Sequence, residues 1–358
     1  MKRLLQLLAI GIISMLVLAA CGSNDDAEEN ESEESEEETE ETETYRIGAT
    51  QFVEHPSLDA AYEGFQAAIE DAGLDVEFDL QSAQGDQNNV TPIAENFVAD
   101  DVDLIFANAT PSALGALQAT KEIPILFTSV TDAVEAGLVD SMDEPGENIT
   151  GVVDLDPSSI AQTVEFIEEY FEGSTIGLLY NAGEQNSVVQ IEAVEEAVEG
   201  TSLDIEERTV ANSAEVQQAA TTLVDQVDVF FIVTDNTVVS ALDTVIAVAN
   251  DHEIPLLVGE PDSLEKGGFA TYGIDYYTIG YRTGEMAVDV LTGESTPGDI
   301  PVEYPSDMQL FINKTASEIQ GVEWNEDWDE DAEIIEMESD TKGSEEEPDE
   351  EEDDEDEE

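Results

Sequence analysis

Short apolar runs alternate with segments of helical period along most of the chain, and this alternation limits the possible folds more than any other feature. The runs are rich in Val, Ile and Leu, as strands buried on both faces are. Strands and helices in strict alternation predict parallel sheets covered by helices. The predicted strands are YRIGA (45–49), LDVEFDL (74–80), VDLIFA (102–107), IPILFT (123–128), STIGLLY (174–180), LDIEERTV (203–210), VDVFFIV (227–233), IPLLVG (254–259) and GFATYGI (268–274). The predicted helices span 56–72, 88–99, 112–120, 158–171, 185–199, 213–226, 237–251 and 276–291.

The alternating region is long enough for two lobes. A single core rarely organises more than about 250–300 residues, and this region with its C-terminal continuation has roughly 280. The segment GENITGVVDLDPSS (146–159) interrupts the alternation, and we interpret it as a crossing between lobes. A helix, a Pro/Gly-rich segment and a strand MQLFIN (308–313) then indicate two further crossings. We therefore predict an α/β fold of two Rossmann-like lobes with parallel sheets, built from 45–150 plus part of 272–310 and from 151–271 plus part of 305–325.

Both ends of the chain differ from these lobes in composition. Residues 1–21 have a basic start, an uncharged apolar stretch and a small-residue site at Cys21, which is the layout of a signal peptide. The motif LAAC (18–21) resembles the lipobox of bacterial lipoproteins, which implies a lipidated Cys21 at the extracytoplasmic face of the cell membrane. An ordinary signal peptide or a transmembrane anchor is the alternative. Residues 22–44 and 326–358 are dominated by acids, and we expect a disordered tether and a disordered tail because little apolar surface offsets the entropy of ordering.

The chain is strongly acidic, with a formal net charge of −79. Acidic residues also outnumber basic ones between the two tails. Such a charge repels phosphate backbones, so we exclude nucleic acid as a partner. Dense carboxylates with few lysines indicate a halophile-like surface, on which high salt screens the self-repulsion.

The sequence lacks the residue patterns of common catalytic and metal sites. It has no GxSxG, GxxxxGK[ST] or HExxH motif and no GxGxxG after the first strand. Cys21 is its only cysteine, and His55 and His252 are its only histidines. Carboxylates are so numerous that no acid–base pair stands out. We expect no catalytic activity, no metal and no cofactor; a lipoprotein hydrolase or glycan-active enzyme is the rival hypothesis.

Polar and small residues follow the carboxyl ends of most predicted strands. Ligands of open α/β sheets bind at this edge, so loops from two lobes should face each other across a cleft. The hydroxyls and N–H groups of ATPSA (109–113) and FTSVT (127–131) suit a carboxylate, whereas Asp235, or else Glu54 or Glu184, would receive an ammonium group. Helix capping is the alternative for each loop. The predicted ligand-binding residues are Gln51, Phe52, Glu54, His55, Thr110, Pro111, Ser112, Thr128, Ser129, Val130, Thr131, Asn181, Glu184, Asn186, Ser187, Asp235, Asn236, Tyr272 and Tyr276.

Aromatic side chains near these loops are candidates for contact with an apolar part of the ligand. We expect Phe52 and either Tyr272 or Tyr276 to bury such a group, with core packing as the alternative for each. His55 lies in the first strand-to-helix loop, QFVEHP (51–56), where Pro56 fits a first helical turn. We interpret His55 as one wall of the pocket and not as a catalytic base.

Long irregular motifs carry a family resemblance. GATQFVEHPSLDAAYEGF, PILFTSVTDAVEAGLV, NITGVVD, LYNAGEQNS, TDNTVVSAL and ATYGIDYYTIGYRTGEMAVDVLTGE closely resemble the substrate-binding lipoproteins of bacterial ABC importers, in particular the tryptophan/tyrosine type. The resemblance runs along residues 45–324. It departs from the family at TDAV, where relatives often have TDPV, and in the acidic tail.

The resemblance implies a type I periplasmic-binding-protein fold, with two lobes joined by three hinge strands that close on one ligand. It implies a small hydrophobic or aromatic amino acid as ligand, an ABC permease and ATPase as partners, and no catalysis. We favour a free aromatic amino acid, tryptophan or tyrosine, and expect a monomer. By position, ATPSA and FTSVTD would hold the ligand's carboxylate, and Asp235 its ammonium group. A ligand-sensing lipoprotein of the same fold, or an importer component for another small hydrophobic amino acid, is the alternative.

Overall fold

The computed structural model describes residues 44–306 and 308–336. Its first lobe is built on a five-stranded sheet of β1 (Thr44–Gln51), β2 (Asp75–Ser82), β3 (Leu104–Asn108), β4 (Ile125–Val130) and β5 (Ile149–Val153). All pairings are parallel, in the order β2-β1-β3-β4-β5. Strand β1 begins at Thr44, the last residue that the sequence assigned to the tether, because Thr44 pairs with Asp75 of β2.

The second lobe is built on a seven-stranded sheet. Its strands are β6 (Thr175–Tyr180), β7 (Asp204–Thr209), β8 (Val229–Ile232), β9 (Leu256–Val258), β10 (Ala270–Gly273), β11 (Gln309–Asn313) and β12 (Glu333–Ile335). The order is β12-β11-β10-β9-β8-β6-β7, and only the β10–β11 pair is antiparallel among the described strands. The predicted class, two α/β lobes with mainly parallel sheets, is confirmed.

The helices cover the sheets of the two lobes. They are α1 (Pro56–Asp71), α2 (Gln87–Ala99), α3 (Thr110–Ala119), α4 (Ser159–Tyr170), α5 (Gln185–Val198), α6 (Val216–Leu223), α7 (Asn236–Val239), α8 (Leu242–His252), α9 (Pro261–Lys266), α10 (Tyr276–Leu291), α11 (Lys314–Ile319) and α12 (Trp328–Asp331). The helix predicted over 237–251 is two helices, because Ala241 has a non-helical conformation with φ −119° and ψ 20°. The helix predicted over 213–226 begins instead with a 3₁₀ turn at Ser213–Glu215.

Helix α10 returns to the first lobe although it follows a strand of the second. A Cβ atom on Gly280 would lie 1.9 Å from the Ala61 carbonyl oxygen, so α10 and α1 touch backbone to backbone. After α10, Glu303 forms a parallel bridge with Val152 at the edge of the first sheet, and the chain then enters β11 in the second. The chain therefore passes between the lobes three times, after β5, after β10 and before β11.

The expectation of a disordered tail from residue 326 is wrong for its first part. Residues 326–336 form α12 and β12, and β12 pairs with β11 in parallel. The Trp328 side chain is 2% exposed and stacks on Phe166 at 5.9 Å between ring centroids. The Trp328 ring and the partly buried Ile334 and Ile335 supply enough apolar contact to order this segment, although most of its residues are acidic. The predicted signal peptide, Cys21, the rest of the tether and residues 337–358 lie outside the described residues.

Candidate functional site

A narrow cavity lies between the two lobes, where the strands of both sheets end. It is lined from the first lobe, from the crossing segments and from the second lobe by His55, Leu58, Ser129, Thr131, Asp154, Asn186, Thr234, Asn236, Val239, Glu260 and Tyr276. This is the edge at which parallel sheets bind ligands, because every strand points its carboxyl end, and the helix that follows presents its N-terminus, to the same side. The predicted cleft is therefore present, and both lobes contribute to its wall.

The first-lobe side of the site is rich in hydroxyl groups. The side-chain oxygens of Thr110, Ser112, Thr128 and Ser129 are buried and have no hydrogen-bond partner within the described chain. Of these four residues, Ser129 lines the cavity itself. Ser129 has φ 57°, and the register between β4 and β5 shifts between Phe127 and Val130, so a bulge redirects the end of the strand. A buried polar group without a partner calls for an explanation, and a bound molecule is one such explanation.

Helix α3 begins at the same place. Thr110 is its first residue and Pro111 occupies the first turn, where a missing N–H costs nothing. Ala109, just before it, has φ 83°, a conformation that non-glycine residues seldom adopt. The free N–H groups of the first helical turn favour negative charge, and the hydroxyls beside them are donors of the same kind.

Asp154 supplies a carboxylate at the crossing between the lobes. Its Oδ2 accepts a hydrogen bond from the Tyr276 hydroxyl at 2.7 Å, whereas Oδ1 is buried without a partner in the described chain. Burial raises the pKa of Asp154 to about 6. Tyr276, which the sequence predicted as a ligand-binding residue, lines the cavity. Asp154 was missed, and its only signal in the sequence was that an acid directly follows GVV at the crossing between the lobes.

Two further acids stand on the second-lobe side. Glu260 lines the cavity and accepts hydrogen bonds from the Ser263 N–H at 2.8 Å and from the Ser263 hydroxyl, so it caps α9. Asp262 lies beside it, and burial, followed by the charge of Glu260, raises its pKa to about 7. Burial likewise raises the pKa of Glu260.

Asp235 does not line the cavity, and its predicted role as the ammonium acceptor is not supported by its contacts. Its carboxylate accepts from the backbone N–H groups of Asn181 at 2.6 Å and Val238 at 2.7 Å. The Ser187 side chain also bonds to it. Asp235 thus caps α7 and joins it to the loop after β6, which is the alternative that the sequence left open.

Glu184 is the second buried acid behind this wall. Its two oxygens accept from the backbone and side chains of Asn236 and Thr237, at 2.6–3.3 Å. Burial, followed by the charge of Asp235, raises the pKa of Glu184 to about 7. Together the two acids fix the start of α7 and so place Asn236, which lines the cavity.

The remaining predicted residues divide between the lobe interiors and the surface. The Gln51 amide nitrogen donates hydrogen bonds to the Val53 carbonyl and the Asp59 carboxylate, and its oxygen accepts one from the Asn108 amide. Phe52 is fully buried in the core of the first lobe. Glu54 is exposed. Tyr272 packs edge-on against Phe166, away from the cavity, because its position on β10 points the ring to the α4 side of the sheet. Val130 is buried in the first-lobe core.

Side chains of the two lobes contact each other across the cavity. His55 at the start of α1 hydrogen-bonds with the side chain of Asn236, and burial lowers the pKa of His55 to about 4. The Gln190 amide donates to the Thr131 hydroxyl at 3.3 Å. The lobes are therefore in contact at the site, in a closed arrangement.

Comparison with known proteins places the chain in a family. Residues 46–334 match the sequence model of the family described as ABC transporter substrate binding protein. A protein of Clostridioides difficile named tyrosine-binding protein is 40% identical over 318 residues, which cover 87% of this chain and 90% of that protein. Within residues 44–306 and 308–336, no helix is long and apolar enough to cross a membrane.

Solved structures agree with the sequence match. An ABC domain in complex with L-Trp from Streptococcus pneumonia has a TM-score of 0.77 and 34% identity, covering 82% of this chain and 100% of that one. The ligand-free, open structure of a substrate-binding protein with adhesive properties from Clostridium difficile has a TM-score of only 0.61 despite 38% identity and the same coverage. This chain therefore superposes better on the L-Trp complex than on the ligand-free, open structure, although its identity to the former is lower. The chain belongs to the ABC transporter substrate-binding protein family.

Proposed function

We propose that this chain captures a free aromatic amino acid, tyrosine or tryptophan, between its lobes and delivers it to the permease and ATPase of an ABC importer. The observation that carries the proposal is that the site combines buried hydroxyl donors, unpaired within the described residues, with a buried carboxylate beside them. The first lobe offers hydroxyls and helix N–H groups, and Asp154 offers an oxygen that has no partner among residues 44–306 and 308–336. A zwitterion is complementary to both.

The ammonium group of the ligand would bind Asp154, in place of Asp235. Tyr276 already donates to Oδ2 of Asp154, which orients the carboxylate and leaves Oδ1 for the ligand. Charge-assisted hydrogen bonds in a closed site are about twice as strong as neutral ones. The ligand's carboxylate would lie against Thr110, Ser112, Thr128 and Ser129, with the N-terminus of α3 behind it.

The aromatic ring would lie among the less polar residues of the cavity. Leu58 and Val239 line opposite lobes, and the rings of His55 and Tyr276 stand beside them. His55 is neutral at pH 7, because burial lowers its pKa to about 4, so it presents an aromatic edge without a charge. Ring burial adds about 25 cal/mol for each Å² of apolar surface.

The chain would act without catalysis, as a monomer held at the extracytoplasmic face by lipid on Cys21. The family match supports the role in transport. The similarity to a tyrosine-binding protein and to an L-Trp complex supports the class of ligand.

Titration calorimetry of the full-length chain in high salt with each of the twenty amino acids tests the proposal. We expect L-tyrosine and L-tryptophan to bind most tightly. Tyramine, which lacks the carboxylate, and 3-(4-hydroxyphenyl)propionate, which lacks the ammonium group, should each bind at least about 100-fold more weakly, since each leaves one side of the site unpaired. Failure of every aromatic amino acid to bind would overturn the proposal.

A further inference from the structure

Gln190 lies behind the cavity wall on α5 of the second lobe and is 1% exposed. Its Oε1 accepts hydrogen bonds from the Thr234 N–H at 3.2 Å and from the Thr234 hydroxyl at 3.0 Å. Its Nε2 donates to the Asn186 carbonyl at 3.3 Å, one turn earlier on the same helix. These three bonds hold the amide in one orientation by contacts inside the second lobe alone.

A fourth bond of the same amide crosses to the first lobe. Nε2 also donates to Thr131 Oγ1 at 3.3 Å. Thr131 lies two residues after Ser129, on the loop whose hydroxyls face the cavity, and both residues line that cavity, whereas Gln190 is not among its lining residues. The bond to Thr131 therefore depends on the lobes being together, while the other three do not.

We propose that Gln190 is a positioning residue for lobe closure, which holds the ligand-facing loop of the first lobe through Thr131 without touching the ligand. The proposal rests on the proposed function, because the loop it holds is the one assigned to the ligand's carboxylate. The amide is already ordered by its own lobe, so closure gains the bond without immobilising another side chain.

We expect loss of the Gln190–Thr131 bond to change mainly the dissociation rate of the ligand. The Gln190–Thr131 bond must break before the lobes separate, so its loss speeds dissociation more than it slows association. A neutral hydrogen bond of this length corresponds to about a three- to tenfold change in affinity.

A double-mutant cycle in the full-length chain tests the proposal. Thr131→Val removes the hydroxyl and keeps the shape, and Gln190→Met removes the amide and keeps the length. We expect each change to weaken L-tyrosine binding by about three- to tenfold through a faster dissociation rate, and the double variant to be within about twofold of the weaker single variant. Losses that multiply in the double variant would overturn the coupling, including the case in which Thr131 acts only by touching the ligand.

The chain offers a matched control. Thr91 and Gln118 form a hydroxyl–amide bond of 3.0 Å within the first lobe. Thr91→Val and Gln118→Met should leave the affinity within about twofold of wild type, because this bond is the same in open and closed lobes. A melting curve of each ligand-free variant identifies misfolding, and the closed fraction of the ligand-free Thr131→Val chain decides the question if Gln190→Met does not fold.

A second readout separates this proposal from the proposed function. Spin labels on cysteines introduced at the exposed positions Glu95 and Gln218, in a chain carrying Cys21→Ser, report the distance between the lobes. If the wild-type chain binds no aromatic amino acid, the proposed function fails, and the closed fraction of the free chain still tests Gln190. We expect Gln190→Met to lower that fraction; equal closed fractions in wild type and variant would overturn the inference.

Discussion

Replacing Asp154 by Asn should weaken ligand binding and at the same time stabilise the ligand-free chain. In the wild-type chain the Tyr276 hydroxyl donates to Oδ2 of Asp154 at 2.7 Å. The Asn amide keeps an oxygen that can accept this bond but carries no charge. Losing the charged partner of a buried ammonium group costs about 2–3 kcal/mol, which is roughly a 30- to 150-fold increase in Kd. Titration calorimetry with L-tyrosine and L-tryptophan measures this loss.

The stability effect has the opposite sign because burial raises the pKa of Asp154. In the folded chain this pKa is about 6, against an ordinary value of 3.8. A raised carboxyl pKa means that the protonated form is favoured by folding, so the stabilisation is complete below pH about 4 and is lost as the pH rises through about 6. A shift of about two units corresponds to roughly 3 kcal/mol. The variant should therefore be more stable than wild type by up to this amount above pH 7, and equally stable near pH 4.

Thermal unfolding of both ligand-free chains between pH 4 and 8 measures that difference. Glu54→Gln is the control, since it removes one charge from an exposed residue near the same cleft. Its affinity and stability should stay close to wild type. Binding of L-tyrosine by the Asp154→Asn variant within about threefold of wild type would refute the assignment of Asp154 as the ammonium partner.

Three further changes test the fold and the support of the site. Asp235→Ala should lower the free energy of unfolding by about 1–3 kcal/mol, because it removes a cap and leaves two N–H groups unpaired; an unchanged melting curve with abolished binding would restore Asp235 as a ligand contact. Trp328→Ala should cost about 3–5 kcal/mol in chemical denaturation, since the ring is buried in the second lobe, and a cost below about 1 kcal/mol would support the disordered tail. Gly280→Ala should destabilise by about 1–3 kcal/mol in the same assay, because its Cβ would lie 1.9 Å from the Ala61 oxygen; equal stability would show that α1 and α10 can move apart.

Local patterns predicted the architecture because each of them acts over a few residues. Alternating apolar runs and helical periods specify parallel strands and covering helices, and chain order then limits how they connect. The break at 146–159 likewise marked the first crossing, which follows β5. The sequence missed α12 and β12, because one Trp and two Ile are too few to stand out among acids, although a preformed sheet edge is enough to bind them.

The position of the site also followed from the sequence, since polar loops at strand ends must share one edge of a sheet. The roles of individual acids did not. Asp235 and Asp154 each follow an apolar run, and no local pattern separates them. Only the folded chain brings the N–H groups of Asn181 and Val238 onto the first acid and leaves Oδ1 of the second without a partner among the described residues. Hydrogen bonding of a carboxylate depends on partners far away in the chain, so the sequence determined the sheet edge at which the candidate site lies, and the tertiary structure decided which acid keeps an oxygen without a partner in the described chain.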